Sequence, residues 1–303
     1  MALYSFLRRA QHSPSNEKLE RFHNCCTPKP LTSSGIFLKK MPPRTMPERA
    51  RELWNRSRGW KLGASTINSM PDFPSGQTLL IDADDTLWEN NIYFERAIAA
   101  FISYLNHHEY SPAEVRQTLN AVERETILAH GYGLSSFTRS LVTCFERLSP
   151  HPVTEEKAAR ILGFARSIAE QEIELLPSVA ETLAELGSRH RLILMTKGDR
   201  AEQADKLARS GLFELFSSVE IVAEKDPPTY REVITRHELT PHTSWMIGNS
   251  PRSDINPALA AGLHAVFLFH KDTWVLEHAT VDPAPPGQHL IELDSFAKLR
   301  TIF

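Results

Sequence analysis

Short apolar segments that end in polar residues or glycine recur along the chain from residue 78 onward. Their length and composition are typical of strands buried on both faces of a parallel sheet. These segments are TLLIDA at 78–83, RLILMTKGD at 191–199, SVEIVAEKD at 218–226, TSWMIGNS at 243–250 and HAVFLFH at 264–270. Helical patterns at 201–210, 229–237 and 255–261 lie between the later segments. The alternation predicts an α/β fold built on a doubly wound parallel sheet.

The region between the first and second predicted strands has helical periodicity instead. Phe94, Ile98 and Phe101 recur at spacings that place them on one face of a helix. Ser111 followed by proline is a helix-start signal, because serine caps the first turn and proline fits it. The sequence therefore predicts a helical insertion in a core that is split in two. The predicted ranges are 76–89 and 176–303 for the core and 90–175 for the insertion, with further helices at 135–148 and 153–171.

The first 75 residues differ in composition, with 13 Lys and Arg against 5 Asp and Glu. A basic segment with many prolines and few apolar repeats predicts a flexible or partly helical extension. An over-long reading frame would give the same pattern. A targeting peptide is the alternative, since the first 16 residues, MALYSFLRRAQHSPSN, contain no acid.

Overall composition indicates a cytoplasmic protein, with organellar targeting by the basic segment as the alternative. The chain has three cysteines without C-x-x-C spacing, so it predicts neither a zinc site nor a disulfide framework. A net charge of −3 favours neither nucleic acid nor a membrane as partner, and no apolar run has the length of a membrane span. The sequence leaves the oligomeric state open.

Polar side chains stand where the predicted strands end, and ligands of parallel α/β sheets bind beyond those ends. Asp82 and Asp84 follow the first strand. One carboxylate of such a pair can attack as a nucleophile while the other transfers protons. A divalent cation would relieve their mutual repulsion, and oxygen ligands favour Mg²⁺. Asp85 is predicted to be structural, as a helix cap or a loop hydrogen-bonder.

Later strand ends add groups suited to phosphate. Thr196 supplies a hydroxyl, and the following loop supplies backbone amides, including that of Lys197. Lys225 supplies the positive charge that phosphoryl transfer requires. Asn249 and Asp254 add oxygen atoms for a metal ion or its water shell. These residues together predict phosphoryl chemistry.

Four motifs in order resemble those of the haloacid dehalogenase (HAD) superfamily of hydrolases. They are the Asp-x-Asp-x-Thr of Asp82 to Thr86, the strand-closing Thr196, Lys225 before a helix, and an altered Gly-Asp motif in IGNSPRSDINPA. The resemblance implies a Rossmann-like core, a covalent aspartyl intermediate, magnesium dependence and a helical cap domain over 90–175 that selects the substrate. Asn249 stands where the superfamily usually has Asp, which would leave a neutral metal ligand.

The resulting expectation is a magnesium-dependent phosphatase that acts on a small phosphorylated metabolite. We expect Asp82, Asp84 and Asn249 to hold the metal ion, with Asp254 behind them orienting a water molecule or pairing with Lys225. In the alternative arrangement Asp254 takes the direct position and Asn249 only bridges. Two alternatives stay open: a haloacid-type dehalogenase, and a phosphate-binding regulatory protein without turnover. The segment HGYGLSSF at 130–137 is either a turn between helices or a substrate-specificity loop.

Overall fold

The computed structural model describes residues 72–105, 109–149 and 153–303. Apart from residues 72–75, the predicted basic extension and its possible targeting peptide lie outside these ranges, as do Cys25 and Cys26. Among the described helices, none combines the length and the apolar character that crossing a membrane would require.

A parallel sheet forms the centre of the described chain, in the strand order β3-β2-β1-β4-β5-β6. The predicted α/β class with a doubly wound, Rossmann-like sheet is confirmed. Strand β1, which leads into Asp82, lies in the middle between β2 and β4, where neighbours on both sides fix its position. The described strands are β1 (Thr78–Ile81), β2 (Arg191–Lys197), β3 (Ser218–Val222), β4 (Ser244–Gly248), β5 (His264–Leu268) and β6 (Leu290–Leu293).

Both faces of the sheet are covered by apolar side chains. Leu79 and Ile81 pack into one core cluster, whereas Leu80 packs into a second cluster with Ile193 and Met195. This division follows from the strand geometry, in which successive side chains point to opposite faces. An apolar residue at every position is therefore what a central strand needs.

Within the described part of the chain, four helices of the insertion follow β1 and four more belong to the core. Ser111 caps the second helix as predicted, in a capping box with Glu114, and Pro112 stands in its first turn. A single π-helical turn, Pro251–Ile255, leads into the last helix. The insertion helices are α1 (Asn91–Leu105), α2 (Pro112–His130), α3 (Leu134–Leu148) and α4 (Glu155–Ala169); the core helices are α5 (Val179–Gly187), α6 (Arg200–Ser210), α7 (Pro227–Arg236) and α8 (Asn256–Ala260).

The core extends slightly beyond the range predicted from the sequence. Phe73 packs edge-on against Trp245, with ring centroids 4.5 Å apart, and its N–H donates to the carbonyl of Ile302 at 2.9 Å. Leu175, at the end of the insertion, packs against the same core cluster and bridges to Trp88. Helix α5 and strand β6 were not among the predicted elements.

Candidate active site

The centre of the candidate site is a buried lysine between two carboxylates. The Lys225 Nζ lies 2.6 Å from Asp82 Oδ1 and 2.7 Å from Asp254 Oδ1. Burial alone would lower the pKa of Lys225, but the charges of Asp254 and Asp82 outweigh it and raise the pKa, so the ammonium stays charged. Burial, followed by the negative charge of Asp82, raises the pKa of Asp254, since one ammonium cannot neutralise two carboxylates.

The close approach of Asp254 to strand β4 depends on Gly248. A Cβ atom at this position would lie 2.2 Å from Asp254 Oδ2, which is too close for any side chain. The same oxygen accepts a hydrogen bond from the Ser250 N–H at 2.9 Å. The glycine therefore allows the π-helical turn to place Asp254 against Lys225.

Asp82 and Asn249 are joined through Thr86. The Thr86 hydroxyl donates to Asp82 Oδ2 at 2.8 Å and lies 3.4 Å from Asn249 Oδ1. The Asn249 amide group donates to Thr273 Oγ1 at 3.0 Å, which leaves its carbonyl oxygen on the side of Thr86. A carboxylate and an amide oxygen at the strand ends are the donors that Mg²⁺ prefers, so these residues fit the metal that the superfamily generally uses.

The carboxylate of Asp84 is held by three groups that the sequence did not indicate. It accepts hydrogen bonds from Lys206 at 2.6 Å, from the Trp88 indole at 2.7 Å and from the Gln203 amide at 2.9 Å. Burial would raise the pKa of Asp84, but Lys206, Gln203 and Trp88 together lower it. Asp84 lines the same cavity as Asp82, and its predicted roles in proton transfer and metal binding stay predictions.

Asp85 supports the loop that carries the motif. It adopts a left-handed backbone conformation, with φ of 61°, and its Oδ1 accepts the N–H groups of Asn90 and Asn91 at 2.9 Å each. These contacts confirm the predicted structural role, because they satisfy donors at the start of α1. Asp85, Glu89 and His270 also place potential ligand atoms within 4.8 Å of one another, so this group could hold a cation.

Thr196 and Lys197 lie at the end of β2, beside Asp82 and Lys225 along the cavity. The Lys197 ammonium contacts Glu277 and Ser253 at 2.7 Å each. It also lies 4.3 Å above the ring of Tyr132. Burial alone would lower the pKa of Lys197. Glu277, Tyr132 and Glu224 outweigh this effect, so the pKa lies above its usual value. Since its side-chain charge is already paired, the predicted contact with phosphate would use the backbone amide.

The segment between α2 and α3 joins the insertion to the core. The Tyr132 hydroxyl donates to Glu224 at 2.8 Å, and the Leu134 N–H donates to the Glu202 carboxylate at 2.9 Å. Gly133 has a φ of +128°, and a Cβ atom added at this position would crowd the Cβ atom of Asp199. The segment is thus an interhelical turn that also reaches the cavity wall, through Tyr132 beside Lys197.

A cavity of about 170 Å³ lies between the strand ends and the insertion helices. This volume is close to the roughly 150 Å³ of a cavity that admits benzene in another protein, so it suits a small molecule. Its floor carries Asp82, Thr196, Lys225, Asn249 and Asp254, and its roof is formed by side chains of α1, α2 and α3.

The fold and the candidate site are those of a hydrolase in which an aspartate follows a central strand, beneath the helices of the insertion. The profile of the haloacid dehalogenase-like hydrolases matches residues 77–262. The chain therefore belongs to the haloacid dehalogenase-like hydrolases, which confirms the resemblance inferred from its motifs.

Individual relatives agree with this assignment. A crystal structure of a haloacid dehalogenase-like family hydrolase from Xanthomonas campestris superimposes with a TM-score of 0.64 at 31% identity, covering 76% of this chain and 93% of that one. A dehalogenase structure has a TM-score of 0.53 at 18% identity, covering 75% and 96%, which shows the fold alone. Phosphoserine phosphatase from Thermus thermophilus is 31% identical over 116 residues, 34% of this chain and 47% of its own length. The match thus spans about half of that curated relative.

Proposed function

We propose that this hydrolase is a magnesium-dependent phosphatase that hydrolyses small phosphate monoesters through an aspartyl-phosphate intermediate. The observation that carries the proposal is the bonding of Asp82. Lys225 at 2.6 Å and Thr86 at 2.8 Å hold its two oxygens, beside the Asn249 oxygen and at the floor of the cavity. The phosphatase match to the Thermus thermophilus protein supports the same chemistry.

The residues present can carry out both halves of such a reaction. An oxygen of Asp82 forms a bond to phosphorus while the bond from phosphorus to the alcohol oxygen breaks, and the alcohol leaves with a proton. Water then attacks the phosphoryl group, which releases inorganic phosphate and restores Asp82. Lys225 stabilises negative charge on the transferring group. Asp82 and Asn249 would help to hold Mg²⁺, which would supply further positive charge for the phosphoryl group.

Asp84 is the candidate for the proton transfers in both steps. In the described arrangement its lowered pKa favours the ionised form, which suits activation of the water molecule. Donation of a proton to the leaving alcohol requires that Asp84 separate from Lys206 when the substrate binds. The backbone amides after Thr196 are proposed to bind the phosphate oxygens. We also propose that the protein acts in the cytoplasm, without nucleic acid or membrane as a partner.

A dehalogenase is the second candidate, favoured by the neutral Asn249 and by the engagement of the Asp84 carboxylate with Lys206. In that reaction Asp82 would displace halide from carbon and water would hydrolyse the resulting ester. A phosphate-binding regulator without turnover would use the same phosphate contacts.

One set of assays separates the three functions. Purified full-length protein is tested with p-nitrophenyl phosphate in Mg²⁺ and in excess EDTA, and with 2-chloropropionate for halide release. We expect magnesium-dependent release of phosphate that Asp82→Asn abolishes and the exposed Asp282→Asn does not. Halide release without phosphatase activity would favour the dehalogenase, and binding of inorganic phosphate without either turnover would favour the regulator.

A further inference from the structure

The roof of the cavity contains a buried glutamate that forms no direct ion pair with any residue the structure describes. Glu123 lies on α2 and is 5% exposed, and its Oε2 has no hydrogen-bond partner among the described residues. It lines the cavity together with Ile127, one helical turn further along the same face of α2. Burying a carboxyl oxygen without a hydrogen-bond partner costs free energy. An unpaired oxygen of this kind on a residue that lines a cavity therefore needs a structural or functional explanation.

Aromatic side chains lie on the same side of the cavity as Glu123, and the strongest cationic influence on Glu123, Arg116, is hydrogen-bonded to another carboxylate. Phe94 of α1 and Phe137 of α3 line the same cavity and pack edge to face, with centroids 4.9 Å apart. Arg116, a cation that acts on Glu123 electrostatically, donates both terminal nitrogens of its guanidinium to Glu95 at 2.6 and 2.9 Å. Among the described residues no donor reaches Glu123 Oε2, and a molecule bound in the cavity that Glu123 lines can supply one.

We propose that Glu123 binds a protonated amine on the leaving group, so that the preferred substrates are phosphate monoesters of small amino alcohols. This inference rests on the proposed function, because the phosphoryl group has to lie at Asp82. An ammonium supplies both the hydrogen-bond donors and the positive charge that a buried carboxylate lacks. A purely apolar leaving group would remove water from Glu123 and replace none of its hydrogen bonds.

The ionisation of Glu123 is consistent with this role. Burial raises its pKa to about 7; Arg116 and Arg124 oppose this rise only in part, and Glu95 adds to it. The Glu123 carboxyl can therefore hold a proton near neutral pH, and an ammonium that enters the cavity favours the ionised form. The apolar rings of Phe94 and Phe137 suit the methylene groups between the phosphate and the amine.

The test compares esters of equal size that differ only in charge. Hydrolysis of O-phosphoethanolamine is measured against propyl phosphate, and of 3-aminopropyl phosphate against butyl phosphate, with full-length protein and Mg²⁺ at pH 8. We expect kcat/KM to favour one amine ester over its alkyl partner by about 10- to 100-fold, the range for a hydrogen bond to a charged group. Equal kcat/KM within both pairs would overturn the proposal.

Variants then assign the preference to Glu123. Glu123→Gln should reduce the ratio of amine to alkyl ester to near one, whereas Glu123→Asp should restore part of it. Glu146→Gln, on the exposed side of α3, is the matched control and should keep the wild-type ratio. If Glu123→Gln retains the preference, or lowers both esters by the same factor, Glu123 does not recognise the amine.

A binding measurement separates this inference from the proposed function. Calorimetry with the same four esters gives dissociation constants that do not depend on turnover. If p-nitrophenyl phosphate and all four esters remain unhydrolysed, the phosphatase proposal fails, and the ratio of dissociation constants still tests the amine site. Tighter binding of an amine ester that Glu123→Gln abolishes would support it; equal binding would refute it.

Discussion

Replacing Glu123 by glutamine should stabilise the protein at high pH much more than at low pH. The pKa of this carboxyl group rises from 4.5 to about 7 because the side chain is buried on the cavity face of α2. The folded state therefore holds the proton over a pH range in which the unfolded chain has lost it. Stability falls as pH rises through this range, because the folded state binds more protons than the unfolded state.

The size of the effect follows from the two pKa values. Linkage gives a cost of about 1 kcal/mol at pH 5, where the unfolded carboxyl is already mostly ionised and the folded one is still protonated, and about 3 kcal/mol at pH 8, where the folded carboxyl is also ionised. Glutamine keeps the shape and carries no charge, so it removes this pH-dependent cost. The gain in unfolding free energy from Glu123→Gln should thus be larger at pH 8 than at pH 5 by about 2 kcal/mol.

Urea denaturation at the two pH values measures this difference, with tryptophan fluorescence as the signal. Trp88 and Trp245 are fully buried and report on loss of the core, and far-ultraviolet circular dichroism reports on the helices of the insertion. The Glu146→Gln control should show the same small change at both pH values. If Glu123→Gln changes stability equally at pH 5 and pH 8, Glu123 titrates normally and its burial carries no electrostatic cost.

Three further predictions concern the floor of the cavity. Asp82→Asn should lower kcat for p-nitrophenyl phosphate by at least about a thousandfold, because an amide is a far poorer nucleophile than a carboxylate; residual turnover well above that level in pure protein would exclude the covalent route. Gly248→Ala should cost about 1–3 kcal/mol in urea denaturation, since the new methyl group overlaps Asp254; unchanged stability and activity would show that Asp254 moves without consequence. Lys206→Met should raise the pKa of Asp84, because burial is then opposed only by Gln203 and Trp88. The acidic limb of the kcat profile should therefore shift to higher pH, and an unshifted limb would mean that Asp84 does not act as the base.

Much of the fold could be predicted because buried parallel strands leave a simple signal. Each apolar run that ends in polar residues corresponds to one of the first five strands. Strand β6 was missed because it lies at the edge of the sheet and is only partly buried, with Glu292 exposed in the middle. Helix α5 was missed because it falls between the insertion and the second strand, where the alternation begins again.

The candidate site was predictable only as far as strand ends define it. Asp82, Lys225 and Asp254 follow elements that the sequence marks, and the structure brings them within hydrogen-bond distance. Lys206 and Glu123 lie within helices, where a charged residue usually faces solvent. Which of these charges turns toward the cavity depends on how the helices pack, and no local pattern records that packing.

The central position of strand β1 has a consequence for how the chain is made. Thr78 pairs with Arg191 on one side and Ser244 on the other, and Phe73 is held by Ile302 at the far end of the sequence. During synthesis, the strand that leads into Asp82 is made long before the strands that pair with it. Contacts between residues this distant slow folding, and exposed strand edges favour aggregation in the meantime. The helices of the insertion are synthesised after β1 but before its partner strands, and they pack largely with one another. The insertion can therefore begin to fold before the sheet is complete.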